Sequence, residues 1–545
     1  MKNVIIAFVG LGIVLSSCDH LRGYVKGAKT AEDSSAAKDH YVAARDASIT
    51  TANAYNNLFL DSTAVETYIQ NNQLNDTAAR QIRSFYNQRN YQFAWLAPDG
   101  FTEQGRGLWN LLDQKEAAGD STFKNDSLEQ KIDTLLEMDT LTVNATDSSF
   151  IQTELALTQR YVQYASTHNP TSPKGYNFFL PVKKVDALQL ADSLLNHPAD
   201  SSFEQSHTAY SALKTALRKY YTLAQQGGWQ PIMDSAVNVK KGDSSPVVVS
   251  IKKRLALSGD WSAADTSQVF NDSLEVAIRS FQQRHGFKPD GVVTDSLIKE
   301  MNIPAQERVE QILVNMNRLL WSQPKRPDHV IEVNIPAFML HVYEGPKKVM
   351  DMEVVVGKEG SNTLMFSGAL NQVVFNPYWN IPASIVQQEI MPAMQADPNY
   401  LKKHNMEMVN KNDSIPVIRQ LPGSQNSLGK VNFLFPNNYD IFFHDTPAKG
   451  LFEQDKRAFS HGCIRLADAE KMAQYILRND SDWTPEKIKA AINSGKEQTV
   501  NLKQPVPVMI SYNTVWVDEN GQVHFREDVY GHDTRTRKMM FTPVS

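Results

Sequence analysis

The chain has 545 residues, with 55 basic against 60 acidic side chains and a formal net charge of −5. Because this balance is slightly acidic and no polybasic block stands out, we exclude nucleic acid as a partner. A hydrophobic share of 41% is typical of a soluble globular chain. At roughly 150 residues per domain, the length predicts about three domains.

Residues 1–18 have the pattern of a leader segment. Lys2 supplies a positive start, residues 4–15 are an apolar run of 12, and Leu15-Ser16-Ser17-Cys18 follows. A run this short suits a signal-peptide core, whereas a membrane-spanning helix needs roughly 20 apolar residues. The last four residues resemble the lipobox of bacterial lipoproteins. This resemblance implies cleavage, lipidation of Cys18 and a membrane-anchored periplasmic protein, with an ordinary secretory signal as the alternative.

We interpret residues 19–48 as a flexible tether. They are rich in Ala, Lys, Asp, Ser and Gly and hold almost no large apolar side chains, so they cannot bury enough surface to fold. A flexible coil of ~30 residues spans roughly 30 Å. Such a tether gives the folded body reach away from the lipid surface.

An α-helical scaffold domain is predicted for residues 49–236. Apolar residues recur there at helical spacing, and Asn, Asp, Ser and Pro breaks separate the periodic stretches. The sequence of this part contains no glycine-rich loop, ligand cluster or paired carboxylate motif. We interpret the aromatic stretch at residues 91–95 as core, with a groove lining as the alternative.

Residues 237–303 change to a pattern of short helices and turns. Phe281-Gln282 is followed by Gly286 and by Asp290-Gly291, which resembles the small three-helix peptidoglycan-binding module. We expect Gly286 and Gly291 to take positive backbone torsions at tight turns and Phe281 to anchor the core. The resemblance implies wall binding, with a spacer domain as the alternative. His285 is expected to be a turn residue rather than a metal ligand.

A connecting helix and a proline-containing linker are predicted for residues 304–327, and a β-rich domain for residues 328–510. Residues 511–545 are interpreted as a C-terminal hairpin and tail. The stretches that have strand character are residues 330–335, 339–343, 352–356, 431–435 and 439–444. The expected fold class is therefore multidomain α+β: a helical scaffold, a small three-helix module and a β-rich domain.

Cys463 is the candidate reactive centre, because it is the only cysteine after the leader and a secreted chain usually pairs its thiols. His444 precedes it by 19 residues and His461 by two. We therefore predict nucleophilic catalysis by a thiol with a histidine base. A zinc site from these three residues would lack a clear fourth ligand. Papain-type wall peptidases usually run cysteine first and histidine later, so the order here disfavours that class.

Two runs carry the resemblance to a known family: His444-Asp445-Thr446-Pro447 and Ser460-His461-Gly462-Cys463. They resemble the signature of L,D-transpeptidases, the YkuD-type cysteine enzymes of the bacterial wall. The stretches that are similar to the long YcbB-type branch are residues 376–382, 426–430 and 525–530. The resemblance implies a lid over the cleft, formed by a helical insert at residues 384–412. Arg465 stands where shorter members of the family often have asparagine. The long branch is similar to this chain in having arginine at this position.

The resemblance also implies roles for the residues around Cys463. His444 is assigned as the base, and the backbone carbonyl of Asp445 fixes its tautomer. From the residues themselves, an extended segment would point His461 and Cys463 to the same face, so His461 is a rival base or an orienting residue. The amides of Gly462 and Cys463 are expected to hold the tetrahedral oxyanion.

The candidate substrate contacts are Arg465, Trp379, Tyr378 and Ser460. Arg465 either pairs with a carboxylate of the substrate or forms a structural salt bridge with Asp468 or Asp445. Trp379 and Tyr378 are either cleft walls or core. Both alternatives stay open at the level of sequence.

The family implies a tetrapeptide stem of peptidoglycan as substrate, attack at the L-centre carbonyl of diaminopimelate, release of D-alanine and transfer to an amine of a second stem. It implies no cofactor and no metal, and sensitivity to carbapenems. We expect a monomer, with wall synthases as candidate partners. The alternatives are an L,D-carboxypeptidase, an enzyme that anchors proteins to the wall, and a catalytically silent wall-binding lipoprotein.

Overall fold

The structure is a computed structural model, and it describes residues 41–543 apart from 118, 121, 123, 138–140, 169–178, 197–203, 205, 234–237, 263–264, 323–325 and 411–414. The leader, Cys18 and most of the predicted tether lie outside the described residues. Within the described ranges, no helix has both the length and the apolar character that crossing a membrane requires.

The N-terminal part is helical, as predicted. Its described elements are α1 (Ser62–Asn71), α2 (Asp76–Gln88), β1 (Leu96–Ala97), β2 (Gly100–Phe101), α3 (Glu103–Ala117), α4 (Asp126–Glu137), α5 (Ser148–His168), α6 (Ala187–Asn196) and α7 (Thr208–Gln225). Phe93 and Trp95 are fully buried, which confirms the core interpretation of this aromatic stretch. The carboxylate of Glu154 on α5 accepts the backbone amides of Ala94, Trp95 and Leu96 at 2.6–3.1 Å, which fixes the stretch in place.

The next unit contains three helices and a short strand pair. These elements are β3 (Asn238–Val239), α8 (Pro246–Ser258), α9 (Asp272–Arg284), β4 (Val293–Thr294) and α10 (Asp295–Met301). Gly286 and Gly291 both have φ +79°, and Phe281 is fully buried, as expected from the sequence. The ring of His285 is stacked on Phe281, and its Nδ1 contacts a carboxylate oxygen of Glu300 at 2.6 Å. His285 is therefore a buried structural residue.

Helix α11 (Ala305–Leu319) connects the helical half to the sheet. Arg318 near its C-terminus is paired with Glu103 of α3 at 2.6 Å and with Asp533 at 2.9 Å, and all three side chains are buried. A buried charge needs such partners, so this cluster joins the scaffold, the connecting helix and the C-terminal region.

The β-rich domain is a nine-stranded sheet. Its strands are β5 (His329–Asn334), β6 (Met339–Glu344), β7 (Lys347–Gly357), β8 (Ser367–Phe375), β12 (Val431–Leu434), β13 (Phe443–His444), β14 (Ala458–Ser460), β15 (Ile464–Leu466) and β16 (Gln498–Ser511). The order is β14-β7-β15-β13-β12-β8-β16-β5-β6, and β6 also pairs with β7. The sheet therefore closes on itself.

The interior of this sheet is a large apolar core. Side chains alternate along the strands, so that Leu340 and Val342 of β6 point inward while His341 is only partly buried. Two helices pack on the same core through Met472 and Ile488. These helices are α15 (Ala469–Ile476) and α16 (Pro485–Asn493). Short 3₁₀ helices lie at Ile335–Ala337 and Lys449–Glu453.

The strand predicted for residues 439–444 is shorter in the structure, where only Phe443–His444 pairs. The side-chain oxygen of Asn437 accepts the amides of Tyr439 and Ile441, which curls this stretch into a loop. Asp440 at its tip has φ +52°, which a strand does not allow. The prediction was wrong here because side-chain bonding replaces the ladder.

The insert consists of a small sheet and a helical segment. Its elements are β9 (Trp379–Asn380), α12 (Ala383–Ile385), a π-helical turn (Val386–Ile390), α13 (Met391–Ala396), α14 (Tyr400–Lys403), β10 (Met406–Asn410) and β11 (Val417–Gln420). Its strands pair in the order β10-β11-β9. Ile381, Val386, Ile390 and Ile418 form an apolar core of its own, so the insert is a separate packing unit that extends beyond residues 384–412. We call it the lid.

The C-terminal region contains the predicted hairpin and an additional helix. Its elements are β17 (Val515–Val517), β18 (Val523–Phe525) and α17 (His532–Met540). The hairpin is packed on the three-helix unit: Arg526 donates to the carbonyl of Arg284 at 2.7 Å, and a Cβ at Gly286 would lie 2.7 Å from the Arg526 side chain. The glycine turn of that unit is therefore closed off by the hairpin.

Candidate active site

Cys463 and His444 are placed by two neighbouring strands. β13 and β15 are parallel, with Phe443 opposite Ile464 and His444 opposite Arg465. Cys463 immediately precedes β15 and therefore lies beside Phe442, which immediately precedes β13. This register places two residues that are 19 positions apart in the sequence on neighbouring segments, offset by two residues, and both line one cavity.

The thiol of Cys463 is largely enclosed by backbone groups. Its sulfur donates to the carbonyl of Asp440 at 3.4 Å and accepts the amide of Phe442. Burial raises the pKa of the Cys463 thiol to about 11; the Phe442 amide and the charge of Arg465 act in the opposite direction. The thiol is therefore protonated at neutral pH.

The imidazole of His444 is fully enclosed and oriented by the backbone. Its Nδ1 lies 2.6 Å from the carbonyl oxygen of Asp445. Because a carbonyl only accepts, the proton is assigned to Nδ1, and Nε2 keeps its lone pair. Burial, together with the charge of Arg465, lowers the pKa of His444 to about 4. The ring is therefore neutral at neutral pH and able to accept a proton.

The charge of Arg465 acts on both groups: it lowers the pKa of the Cys463 thiol and the pKa of the His444 ring. Neither salt bridge considered from the sequence is formed within the described structure. Asp468 accepts the amide of Lys471 at 2.9 Å and caps α15, and Asp445 is paired with Lys449 at 2.7 Å. The Nε of Arg465 is buried without a hydrogen-bond partner. The guanidinium is thus available for an anion.

Ser460 is buried and shapes the loop that carries Cys463. Its hydroxyl donates to the carbonyl of Cys463 at 2.5 Å and accepts the amide of Gly462 at 3.2 Å. Of the two amides predicted for the oxyanion, that of Gly462 is therefore occupied, whereas that of Cys463 makes no hydrogen bond within the described residues. Ser460 positions this loop and also lines the cavity, so its contact with substrate stays a prediction.

His461 points towards the lid. The chain bends at Gly462, which has φ +113°, so the segment is not the extended strand that the sequence suggested. Nε2 of His461 contacts the carboxylate of Glu389, on the π-helical turn of the lid, at 3.0 Å. The rival base therefore has a carboxylate partner away from the thiol, which favours His444.

The two aromatic candidates differ in position. Trp379 lines the cavity and contacts the core of the lid. Tyr378 is not among the cavity-lining residues; Arg419 lies over its ring at 4.4 Å from the centroid. Trp379 is thus a cleft wall, and Tyr378 supports the lid sheet.

The site opens into a cavity of about 1330 Å³. Its walls come from four parts of the chain: Arg106 and Trp109 of the scaffold, Ile385 and Glu389 of the lid, Cys463 with its neighbours on the sheet, and Arg535 of the C-terminal region. Within the described ranges, no group of three His, Cys, Asp or Glu side chains is arranged to hold a metal ion. The arrangement suits a peptide-sized substrate that meets a thiol and a neutral imidazole.

Several residues that shape the site were missed from the sequence. The carbonyl of Asp440 accepts the thiol, and Thr363 donates to the carbonyl of Gly462 at 2.7 Å. Tyr530 in turn accepts the amide of Thr363 at 3.2 Å. These contacts join distant segments through backbone atoms, and no local residue pattern signals them.

Three segments of the chain match known families. Residues 328–508 match the L,D-transpeptidase catalytic domain, residues 80–217 a scaffold domain and residues 244–301 a peptidoglycan binding domain. The chain carries an L,D-transpeptidase catalytic domain. The L,D-transpeptidase match contains both Cys463 and His444, together with the whole lid.

A curated protein of Haemophilus influenzae, named as an L,D-transpeptidase, is 31% identical over 219 residues, which is 37% of this chain and 44% of the relative. The match thus spans less than half of that relative. Solved L,D-transpeptidases of Xylanimonas cellulosilytica and Stackebrandtia nassauensis are 13% and 15% identical, with TM-scores of 0.17 and 0.21. The matches cover 51% and 52% of this chain, and 98% of the length of each solved chain. TM-scores this low add nothing about the fold or the site.

Proposed function

We propose that this L,D-transpeptidase domain acts on peptidoglycan, with Cys463 as nucleophile and His444 as base. The observation that carries the proposal is the contact between Nδ1 of His444 and the Asp445 carbonyl, in a cavity that also contains the unpaired thiol. It leaves Nε2 as the basic nitrogen of a ring that lines the same cavity as the thiol. A thiol with a raised pKa needs a base that accepts its proton and a group that orients this base.

In the acylation step, the sulfur of Cys463 attacks the L-centre carbonyl carbon of diaminopimelate while the thiol proton passes to Nε2 of His444. The oxyanion lies against the amide of Cys463, which has no other acceptor within the described residues. The intermediate then collapses: the amide bond breaks, D-alanine leaves as an amine with the proton from His444, and a thioester remains on Cys463.

In the transfer step, an amine of a second stem attacks the thioester carbon. His444 accepts a proton from this amine and returns one to the departing sulfur. The products are a new amide cross-link and the free thiol, so both groups regain their starting state. Water in place of the amine would give an L,D-carboxypeptidase, and a protein amine would give wall anchoring.

The resting pair is neutral in this proposal. His444 with a pKa of about 4 and Cys463 with a pKa of about 11 hold no thiolate–imidazolium pair at neutral pH. Proton transfer therefore accompanies attack instead of preceding it. The thiol has to turn from the Asp440 carbonyl to His444; catalytic hydrogen bonds often form only when substrate binds.

The other parts of the chain suggest the setting. The peptidoglycan binding match at residues 244–301 supports a wall substrate, and the lipobox-like leader supports a periplasmic protein anchored through Cys18. We further propose wall synthases as partners.

The first experiment is mass spectrometry of a soluble form that starts after Cys18, incubated with a carbapenem. We expect one covalent adduct, and none in Cys463→Ala. A Cys463→Ala variant that is still modified would show that the nucleophile is another residue.

The second experiment identifies the acceptor. Isolated wall material is incubated with the enzyme, digested, and its muropeptides separated. New cross-links between diaminopimelate residues support transpeptidation. Tripeptide stems without new cross-links would reassign the enzyme as a carboxypeptidase.

A further inference from the structure

One face of α3 turns from the scaffold towards the catalytic sheet. Arg106, Trp109, Asn110 and Asp113 recur at the spacing of a helical stripe. The carboxylate of Asp113 accepts the amide of Ser367 on β8 at 3.1 Å, and Trp109 donates to the hydroxyl of Tyr439 at 3.3 Å. These two contacts fix the face, so Arg106 is held at the wall of the active-site cavity.

The side chain of Arg106 makes no ion pair and no hydrogen bond within the described part of the chain. The neighbouring carboxylates are already used: Glu103 is paired with Arg318 at 2.6 Å, and Asp99 with Arg535 at 2.6 Å. Burial, followed by the charge of Arg535, lowers the pKa of Arg106 to about 10, which still leaves it charged at neutral pH. Arg106 is half-buried at the cavity wall, and a partly desolvated cation without a partner would be stabilised by a ligand anion.

Arg535 of α17 lies beside Arg106 on the same wall and is rigidly placed. It donates to the carbonyls of Phe101 and Gly100 at 2.7 and 2.9 Å, in addition to its pair with Asp99. Arg535 adds positive charge to the wall, but its hydrogen-bonding capacity is largely used. Arg106 therefore has the more available guanidinium of the two.

Arg106 and Arg465 serve different positions in the cavity. Arg465 is on β15, two residues after Cys463, and its charge acts on both the thiol and the His444 ring, whereas Arg106 is on α3 of the scaffold. Arg465 is thus next to the reacting centre, where the carboxylate of the leaving D-alanine would lie. Arg106 is on the scaffold wall and suits an anion farther from the scissile bond.

We propose that Arg106 binds the side-chain carboxylate of diaminopimelate in the stem whose L-centre is attacked. This inference rests on the proposed function and adds a specificity residue from the scaffold to the catalytic site. A guanidinium presents a planar fork of donors that matches a carboxylate with two parallel hydrogen bonds. Diaminopimelate has its second carboxylate several bonds from the scissile amide, which fits a receptor on the scaffold wall of the cavity.

The test compares two synthetic tetrapeptide stems, one with the diaminopimelate side-chain carboxylate free and one with it amidated. For Arg106→Gln, we expect KM for the free carboxylate to rise about tenfold or more, the usual range for a hydrogen bond to a charged group. We expect kcat to stay within about twofold and the amidated stem to lose little. Arg106→Lys should recover part of the loss for the free carboxylate. Arg80→Gln, on α2 away from the cavity, is the matched control.

Two outcomes overturn the proposal: an equal loss for both stems, or no loss for either. The unmodified enzyme gives a measurement that does not depend on folding of a variant, because it should itself prefer the free carboxylate by about tenfold. Equal turnover of both stems by the unmodified enzyme would reject a carboxylate site. If the unmodified enzyme turned over neither stem, the proposed function would fail instead.

Discussion

The indole N–H of Trp109 donates to the hydroxyl of Tyr439 at 3.3 Å and so joins the scaffold to the loop behind the nucleophile. The same hydroxyl donates to Asp133 at 2.8 Å, and Asp133 also accepts the side chain of Asn438. The next residue, Asp440, presents its carbonyl to the thiol from a left-handed backbone conformation. The scaffold therefore helps to set the position of a backbone group that contacts the reacting sulfur.

Removal of the Tyr439 hydroxyl should loosen this loop. Tyr439→Phe leaves Trp109 and Asp133 with unmet hydrogen bonds, and we expect a loss of about 1–3 kcal/mol in the free energy of unfolding. Carbapenem acylation should slow several-fold, because the Asp440 carbonyl is no longer fixed. Stopped-flow acylation and urea unfolding measure the two effects. Tyr41→Phe, at an exposed tyrosine, should change neither. Unchanged acylation in Tyr439→Phe would remove the scaffold from control of the loop.

Acid should destabilise the fold through His444. Its folded pKa of about 4 lies below the usual value near 6.5, so the unfolded chain binds more protons between these two pH values. Stability is then fully present above pH 6.5 and falls as the pH drops towards 4, by about 3 kcal/mol for this group. His444→Gln should flatten the pH dependence of unfolding, whereas His404→Gln, at an exposed ring, should not. Equal slopes for His444→Gln and the unmodified protein would contradict the burial argument.

The reactivity of Cys463 should follow its high pKa. Alkylation by iodoacetamide requires the thiolate, so with a pKa of about 11 the rate should rise about tenfold per pH unit from pH 6 to 9 without a plateau. Arg465→Gln should slow alkylation at each pH, because the Arg465 charge lowers the pKa of the thiol. Arg478→Gln, which removes a surface guanidinium that contacts Glu344 and Tyr475 away from the cavity, is the control. A plateau near neutral pH would indicate a pre-formed thiolate instead.

The contact between the lid and the site should restrain opening. Both His461 and Glu389 are substantially exposed, so their pair contributes at most about 1 kcal/mol. Glu389→Gln should therefore speed carbapenem acylation by at most about fivefold, if lid opening limits entry. Glu407→Gln breaks a pair with Arg419 inside the lid sheet and should leave the rate unchanged. Slower acylation in Glu389→Gln would assign Glu389 a part in the chemistry.

The sequence was sufficient for what depends on local pattern. The turn glycines Gly286 and Gly291 and the β-rich domain follow from periodicity and turn residues, whereas the three-helix unit and the helical insert were implied by the resemblance to known families. The pairing of β13 with β15 could not be read from the sequence, although the spacing of His444 and Cys463 pointed to a shared site. The roles of these two residues in catalysis stay predictions.

The features that could not be predicted from the sequence depend on contacts between distant segments. Arg106 and Trp109 sit in a helix whose pattern is that of ordinary packing, and only the folded chain brings them to the cavity, more than 300 positions from Tyr439. The loop at Asp440 was misassigned because its residues have strand character while Asn437 bonds them into a curl. Helix α17 follows a hairpin and begins after Gly531 without a side-chain cap, so no start signal marks it.

The seal that Arg526 makes over the Gly286 turn has a geometric consequence. A three-helix unit docked so closely on the C-terminal hairpin cannot swing independently of that hairpin. If the three-helix unit binds the cell wall, each glycan strand that it binds reaches the Cys463 thiol at one distance and one angle. The fixed spacing between the bound glycan strand and the thiol would then determine which neighbouring glycan strands can be cross-linked, according to the distance between them.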